Sequence, residues 1–362
     1  MLIEEVLELA VTKLASDIHI SANLPPVLRI DGKLYRTNLP VLSADDVETV
    51  IFPILSNDQR RELEQNWELD FGYSIQGLGR FRVNVYRDRG SYAAAFRTIN
   101  STPPTFDELG LPEVIKKVSE RPRGLILVTG PTGSGKSTTL AAMIDYINST
   151  RVEHILTIED PIEFVHTSKK CVVHQRELGQ DTKSMVNALK SALREDPDVI
   201  LVGEMRDLET TRLALTAAET GHLVLGTLHT SSASQTIDRI VDIFPEVQQQ
   251  QIRLQLSISL VAVFSQCLLP KLDNTGLKKG RIMAQEIMLV NSAIANLIRE
   301  QKTAQIYSAI QTGVAQGMQT LDMCLKELVK KKLVDPKDAI AKSQRPEEFR
   351  RSIGYVEMQG EF

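Results

Sequence analysis

The stretch GPTGSGKS at residues 130–137 constrains this chain more than any other feature. It fits the pattern G-x-x-x-x-G-K-S, with the apolar run LILVT (125–129) before it and the helical stretch TTLAAMIDYI after it. A strand, a glycine-rich loop and a helix in this order form the context in which the pattern cradles the phosphates of a nucleoside triphosphate. The chain is therefore expected to hold an α/β domain with a nucleotide site.

The glycines and the last residues of this stretch have separate chemical roles. Gly130, Gly133 and Gly135 let the backbone curl so that its N–H groups face the phosphates, and the next helix points its positive N-terminus at the same place. Lys136 is predicted to reach the β- and γ-phosphates, and Ser137 to offer its hydroxyl to Mg²⁺. The expected nucleotide-binding residues are Gly130, Pro131, Thr132, Gly133, Ser134, Gly135, Lys136, Ser137 and Thr138.

A carboxylate follows a second buried run. Residues 199–204 read VILVGE, which places Glu204 where a Walker B acid is expected, although a Gly-Glu pair stands where Asp is usual. The carboxyl ends of strands in open α/β sheets line the ligand crevice. Glu204 is therefore expected near Mg²⁺ and the γ-phosphate, where it would polarise the attacking water. The plainer alternative is an acid that satisfies the start of a neighbouring helix.

Three acids close another apolar run, in TIEDPIEF at 157–164. Pro161 cannot continue a central strand, so Glu159, Asp160 and Glu163 are predicted on a loop or a strand end. This run is the next strand after the phosphate loop, which favours the same crevice. Glu163 is expected to face the metal or the water, with a merely solvated acidic loop as the alternative.

Two histidines bracket the run HLVLGTLHT (222–230). Along an extended strand roughly 23 Å separates His222 from His229, and the odd spacing puts them on opposite faces. They therefore cannot share one metal within this strand. His229, at the carboxyl end, is predicted to sense the γ-phosphate, whereas His222 fits a packed histidine as well as a functional one.

Two kinds of pattern divide the chain. Residues 1–100 mix helical stripes with short β runs and hairpins, which is typical of a small α+β domain with an antiparallel sheet. Residues 101–112 hold three prolines and form the predicted linker. Over 113–362 buried strand-like runs alternate with helices, which indicates a mostly parallel sheet. Beyond residue 244 the pattern is mainly helical, apart from one strand-like run at 281–289.

The longest apolar stretch is 254–270, LQLSISLVAVFSQCLLP. It is uncharged, but it contains five Ser or Gln residues and is shorter than the roughly 20 residues of a membrane-spanning helix. It is therefore predicted to be a buried helix. The N-terminal MLIEEVLELA is acidic, unlike the basic start of a secretory signal.

The composition limits the kinds of binding partner that are expected. The chain has 42 Lys and Arg against 46 Asp and Glu, a net charge of -4, and only 5% aromatic residues. Nucleic-acid binders are usually basic, and single-stranded binders stack bases on aromatic rings, so no nucleic acid is expected. Cys171, Cys267 and Cys324 form no C-x-x-C, so neither a zinc ribbon nor a redox pair is predicted.

Four segments, taken in order, resemble the secretion ATPase superfamily: the phosphate loop at 130–138, an acidic Asp box at 157–164, a Walker B segment at 193–207 and a His box at 222–229. The resemblance is close to the PilT group, the type IV pilus retraction ATPases, and covers nearly the whole chain. It implies an α/β protein with an N-terminal α+β PAS-like domain. A C-terminal RecA-like P-loop ATPase domain with a helical C-terminal part would follow.

The resemblance also implies how such a chain works. It implies ATP hydrolysis with Mg²⁺ by a homohexamer at the cytoplasmic base of a pilus machine. There the ring would work against an inner-membrane platform protein, with paralogous pilus ATPases as further partners. Ser137 and Glu163 would hold Mg²⁺, in part through water. Arg82 and Arg97, from arginines crowded over 80–97, would reach a nucleotide as fingers at a domain or subunit boundary. A solvated basic face is the alternative.

The segment 293–300, AIANLIRE, is close to the AIRNLIRE signature of retraction motors, with Ala295 where Arg is expected. Asn291 is predicted to cap a helix there, with an apolar stripe at 293, 294, 297 and 298. The chain also starts at its PAS-like part and lacks the C-x-x-C pairs frequent in extension motors. The expected function is pilus retraction and twitching motility. An accessory or regulatory pilus ATPase, and a related ATPase that pumps protein or DNA, are the alternatives.

Overall fold

The chain folds into two units. The structure, a computed structural model, describes residues 2–30, 32–99, 102–273 and 275–355. The first unit comprises Met1–Pro103, Pro161–His166 and Glu177–Lys183, and the second comprises Pro104–Asp160, Thr167–Arg176 and Ser184–Phe362. Two short segments from beyond residue 160 thus fold with the N-terminal residues.

An antiparallel sheet organises the first unit. Its strands are β1 (Asp17–Ser21), β2 (Val27–Ile30), β3 (Lys33–Arg36), β4 (Glu68–Ile75), β5 (Gly79–Asp88) and β6 (Ser91–Ile99). Their order across the sheet is β3-β2-β1-β6-β5-β4, and neighbouring strands run antiparallel. The predicted α+β fold of this part is confirmed.

Of the three helices that the structure describes in the first unit, two begin at a serine cap. The three are α1 (Ile3–Thr12), α2 (Ala44–Ile51) and α3 (Asn57–Asn66), with a 3-10 turn at Phe52–Ile54. Ser43 accepts the N–H of Asp46, and Ser56 accepts the N–H of Gln59, each within a capping box. Such boxes satisfy donors that a helix start otherwise leaves unpaired.

Strand β5 separates an apolar face from a basic one. Phe81 and Val83 are buried, whereas Arg80, Arg82 and Asn84 alternate with them on the opposite face. This period of two is what a half-buried strand requires. The shared face of these arginines agrees with the sequence pattern.

A mostly parallel sheet organises the second unit. Its strands are β7 (Gly124–Thr129), β8 (His154–Glu159), β9 (Val172–Glu177), β10 (Val199–Val202), β11 (Leu223–Leu228), β12 (Leu260–Leu272) and β13 (Lys278–Leu289). Their order is β13-β12-β7-β11-β10-β8-β9, and β12, β7, β11, β10 and β8 run parallel to their neighbours in that series. Strands β7, β10 and β11 are buried throughout, as central strands of such sheets are.

Helices connect and follow these strands. They are α4 (Phe106–Leu109), α5 (Glu113–Ser119), α6 (Lys136–Thr150), α7 (Met185–Ala192), α8 (Leu208–Glu219), α9 (Ala233–Asp242), α10 (Glu246–Ser259), α11 (Ser292–Arg299), α12 (Ile306–Thr312), α13 (Leu321–Lys330), α14 (Pro336–Lys342) and α15 (Pro346–Ser352), with 3-10 turns at Thr303–Gln305 and Val314–Gln316. Helix α4 lies inside the predicted linker. None of the helices in the described ranges is both long enough and apolar enough to cross a membrane.

The prediction of one buried helix over 254–270 is wrong. Helix α10 ends at Ser259, and the chain becomes strand β12 at Leu260. A strand buried on both faces lacks polar alternation, so its apolar run looks like that of a buried helix. The mainly helical prediction beyond residue 244 needs the same correction, because β12 pairs there with β13, which contains the expected run 281–289.

Helix α11 starts as predicted and packs most of the predicted apolar stripe against the core. Asn291 Oδ1 accepts the N–H of Ile294 at 2.9 Å, which confirms the cap. Ile294 and Ile298 are buried, whereas Ala293 is exposed and Ala295 is buried in its place. The predicted stripe therefore holds at 294, 297 and 298, and Ala295, where this chain departs from the retraction signature, is buried instead of Ala293.

Candidate active site

The loop between β7 and α6 has a backbone that needs its glycines. The φ angle is +143° at Gly130, +76° at Gly133 and +90° at Gly135. A Cβ on Gly130 would lie 2.2 Å from the carbonyl oxygen of Gln266, which excludes any side chain there. Only glycine adopts such angles without strain. The sequence of the loop thus dictates its curl.

The start of α6 is arranged to receive an anion. Its N-cap is Gly135, which offers no capping side chain, and its first turn carries no acid. Among the described residues, the buried Oγ of Ser134 has no hydrogen-bond partner. The positive end of a helix stabilises a phosphate, and its first N–H groups donate to one. The residues present therefore fit the phosphates of a nucleotide.

Lys136 is folded back onto this loop. Its Nζ donates to the carbonyl oxygens of Gly130 at 2.9 Å and Pro131 at 3.2 Å. A lysine ammonium has three donors that rotate freely, so phosphate oxygens can replace these carbonyls. The positive charge is therefore kept at the loop.

Hydrogen bonds join the carboxyl ends of four strands at one edge of the second sheet. The N–H of Gly130 donates to the carbonyl oxygen of Leu228 at 3.3 Å, which ties the loop after β7 to β11. The N–H of Gly203, just beyond β10, donates to the carbonyl oxygen of Ile158 in β8 at 2.8 Å. The phosphate loop, Glu204 and the end of β11 therefore share this edge.

Glu204 is held between two donors at this edge. Its Oε1 lies 2.7 Å from Nε of Arg206, and its Oε2 lies 3.2 Å from Nε2 of His229. Burial alone would raise the pKa of Glu204, but the hydrogen bonds from Arg206 and His229 outweigh burial and lower the pKa below its usual value. The carboxylate is therefore ionised near neutral pH and oriented by both neighbours.

The acids of the Asp box are divided between the two units. Glu159 ends β8, where its Oε1 accepts bonds from Thr157 at 2.6 Å and Gln175 at 3.2 Å. Glu163 is exposed and lies on Pro161–His166, which folds with the first unit. Its role at the metal or the water stays a prediction.

Arg82 and Arg97, the predicted fingers, lie on the sheet of the first unit and pair with acids there. Arg82 forms a bidentate bond with Asp70, and Nε of Arg97 lies 2.9 Å from Oδ1 of Asp17. The Arg97 side chain is nevertheless 71% exposed. Their reach to a nucleotide stays a prediction.

The two histidines of the His box lie at opposite ends of β11, as predicted. His229 contacts Glu204, whereas His222 precedes the strand. The Nδ1 of His222 donates to the carbonyl oxygen of Ala217 at 2.9 Å. His222 therefore ties the end of α8 to the start of β11.

Sequence reasoning missed Gln266, which supports the phosphate loop from β12. Its Nε2 donates to the carbonyl oxygen of Ser134 at 3.0 Å, and its Oε1 accepts from Thr139 at 3.1 Å and from Gln285 at 3.3 Å. Both glutamines are buried. The one sequence feature that could have pointed to Gln266 is its polar side chain inside the apolar run 254–270.

The oxygen donors at this edge fit Mg²⁺ bound together with a nucleotide. Within the described ranges, no three His, Cys, Asp or Glu side chains cluster closely enough to hold a metal by themselves. Mg²⁺ at nucleotide sites usually takes few protein oxygens and keeps water and phosphate oxygens. Ser137, in the first turn of α6, carries an oxygen donor of this kind.

Comparisons with known proteins match the chain over nearly its whole length. The family model described as type II/IV secretion system protein matches residues 1–334. The type IV pilus retractation ATPase PilT of Pseudomonas aeruginosa is 57% identical over 96% of this chain and 99% of that protein. A twitching motility protein of Neisseria gonorrhoeae is 54% identical over 89% of this chain and 85% of that protein.

The fold matches as well as the sequence. A crystal structure of the pilus retraction motor PilT with bound ADP aligns with a TM-score of 0.90 at 50% identity, covering 97% of this chain and 99% of that one. That structure contains a nucleotide, in agreement with the loop geometry described above. The chain therefore belongs to the type II/IV secretion system protein family, in its PilT group of type IV pilus retraction ATPases.

Proposed function

We propose that this chain is a Mg²⁺-dependent ATPase that powers type IV pilus retraction and twitching motility. The observation that carries the chemistry is the shared sheet edge, where the curled loop with Lys136 and the ionised Glu204 follow strands of one sheet. The similarity to proteins named for retraction and twitching supports the mechanical output.

The proposed reaction is in-line attack of water on the γ-phosphorus of ATP. Lys136 exchanges its loop carbonyls for phosphate oxygens and offsets the charge that develops on them. Glu204 accepts a hydrogen bond from the water and takes its proton as the new P–O bond forms. The bond to the bridging oxygen breaks, which releases ADP and inorganic phosphate. His229 holds the Glu204 carboxylate in place.

Ser137 would hold Mg²⁺, with Glu163 contributing through water. When bound, the ion neutralises charge on the phosphate oxygens. Arg82 and Arg97 are proposed to reach a nucleotide across a domain or subunit boundary, which their exposure on the first sheet permits. Both would have to exchange their present carboxylate partners for phosphate.

The working form is proposed to be a homohexameric ring at the cytoplasmic base of the pilus machine. It would act on an inner-membrane platform protein, with paralogous pilus ATPases as further partners and no nucleic acid. Residues 1–100 would form the PAS-like domain, 101–112 the linker and 113–362 the RecA-like ATPase domain. Opening and closing of the ring would move the domains and drive pilin subunits into the membrane.

Two substitutions test the chemistry. Lys136→Ala is expected to lose nucleotide affinity and turnover, because it removes a contact made before and during reaction. Glu204→Gln is expected to keep ATP affinity and lose turnover, because it removes only the proton acceptor. Titration with a fluorescent ATP analogue and phosphate release measure the two quantities. Wild-type hydrolysis by Glu204→Gln would remove Glu204 from the mechanism.

Deletion of the gene tests the direction of the motor. Cells without a retraction motor are expected to carry abundant surface pili and to lose twitching. Counting pili by electron microscopy separates this result from the bald cells that loss of an extension motor would give. Normal pili with normal twitching would leave only an accessory role.

A further inference from the structure

A buried ion pair ties the sheet of the first unit to the segment Glu177–Lys183. Nη2 of Arg80 lies 2.5 Å from Oε2 of Glu177, and only 18% and 3% of the two side chains are exposed. Both residues belong to the first unit. A carboxylate this buried is costly unless a charge and further donors satisfy it.

The same carboxylate also anchors the acidic loop. Oε2 of Glu177 accepts the backbone N–H of Ile162 at 3.0 Å, and the Ile162 side chain is buried. Glu163 is the next residue and is exposed. An amide held by a buried anion fixes the backbone beside it. The position of Glu163 is therefore determined one peptide away from this bond.

The surroundings of the pair are shaped around it. A Cβ on Gly72 of β4 would lie 2.7 Å from Nη2 of Arg80 and 2.8 Å from Oε1 of Glu177. Nε2 of Gln180 donates to the carbonyl oxygen of Gly72 at 2.8 Å. The N–H of Glu177 donates to Oδ2 of Asp181 at 2.8 Å. The glycine thus leaves the space that the two charged groups occupy.

We propose that Arg80 and Glu177 are positioning residues that hold the acidic loop 161–166, and with it Glu163, against the sheet of the first unit. This inference rests on the proposed role of Glu163 in hydrolysis. Arg82 lies on the same face of the strand as Arg80, but its partner Asp70 is 42% exposed, whereas Glu177 is buried.

Substitution of Arg80 tests the anchor. Arg80→Ala is expected to bind fluorescent ADP within about twofold of wild type, because the phosphate loop is intact. Its kcat is expected to fall roughly tenfold to hundredfold, because a misplaced group about 1 Å from its productive position costs that much. Amide exchange of the peptide covering 161–166 should become faster. Arg36→Ala, which removes an exposed arginine of the same sheet, should change none of these.

A milder variant guards against loss of folding. Arg80→Lys keeps the positive charge but not the planar fork, so it should recover part of the kcat and part of the exchange protection lost in Arg80→Ala. If kcat and exchange across 161–166 are unchanged in both variants, the proposal is overturned.

A double substitution separates this inference from the role of Glu163. If the anchor acts through Glu163, adding Arg80→Ala to Glu163→Gln lowers kcat little further. Full additivity of the two effects overturns the proposal. Wild-type kcat in Glu163→Gln alone would refute the catalytic role of Glu163, while the exchange of 161–166 in Arg80→Ala would still decide whether the pair holds the loop.

Discussion

The pKa of Glu204 is lowered even though the side chain is partly buried. Burial favours the neutral form of Glu204, yet the donors Arg206 and His229 keep the carboxylate ionised and orient its two oxygens. A carboxylate with a lowered pKa is a weak base. Its proposed contribution to hydrolysis is therefore the orientation of the water as much as the acceptance of a proton.

The pH dependence of ATP hydrolysis tests this balance. In the wild type, Glu204 has a pKa below the ordinary value of 4.5, so its protonation does not limit kcat/KM above that pH. In Arg206→Ala, burial still raises the pKa of Glu204, and only His229 still lowers it. The acid limb of kcat/KM for MgATP, which reports ionisation of the free enzyme, is therefore expected to move toward neutral pH.

Arg212→Ala, which removes an exposed arginine of α8, is the control and should keep the wild-type profile. The lowered pKa of Glu204 also makes the free energy of unfolding depend on pH. The stabilisation by ionised Glu204 is present above the unfolded-state pKa of this group and is lost as the pH falls through its folded-state pKa. An acid limb that stays in place in Arg206→Ala would show that Arg206 does not control the ionisation of Glu204.

The sequence predicts those features that depend on residues close together in the chain. The curl at Gly130 and the cap at Asn291 depend on neighbours a few residues away, and both follow from the pattern alone. Gln266 supports a loop more than a hundred residues earlier, through contacts that no spacing rule encodes. Its place in the site appears only when β12 lies beside β7.

Strand β12 is where local pattern and tertiary structure disagree. Most of its residues are buried on both faces, so neither a period of two nor one of 3.6 marks it. Pairing with β7 and β13 decides the conformation instead. The result matters for the site, because this strand carries Gln266 beneath the phosphate loop.

Gln266→Leu is expected to lower both stability and nucleotide affinity. It leaves the carbonyl oxygen of Ser134 and the amide of Gln285 without their buried partner, at a cost of about 1–3 kcal/mol each. The control is Gln285→Leu, which also breaks the glutamine pair but leaves the bond to Ser134. A smaller melting-point loss in Gln285→Leu, with weaker ADP binding only in Gln266→Leu, would support the role. Equal ADP affinity in both would contradict it.

The division into two units shows what a linear reading of the chain misses. The two fold classes follow from the patterns of residues 1–100 and 113–362. The sequence patterns do not predict that two later segments, Pro161–His166 and Glu177–Lys183, fold with the first unit. Domain boundaries are predicted from contiguous stretches of sequence, and these segments are separated from residues 1–103. The contact between Arg80 and Glu177 spans 97 residues, and only the folded chain reveals it.

The proposed ring gives the exposed arginines of the first unit their sharpest test. Six chains of 40.4 kDa would form an assembly of about 242 kDa. Arg97→Ala and Lys136→Ala are each expected to lose ATPase activity as pure rings. In mixed rings that exchange subunits, about a quarter of the interfaces would pair an intact phosphate loop with an intact Arg97 of another chain. Light scattering and phosphate release should therefore show normal ring mass with partial recovery of ATPase. Normal mass without recovery would place Arg97 within its own chain, where it already pairs with Asp17, or outside the reaction.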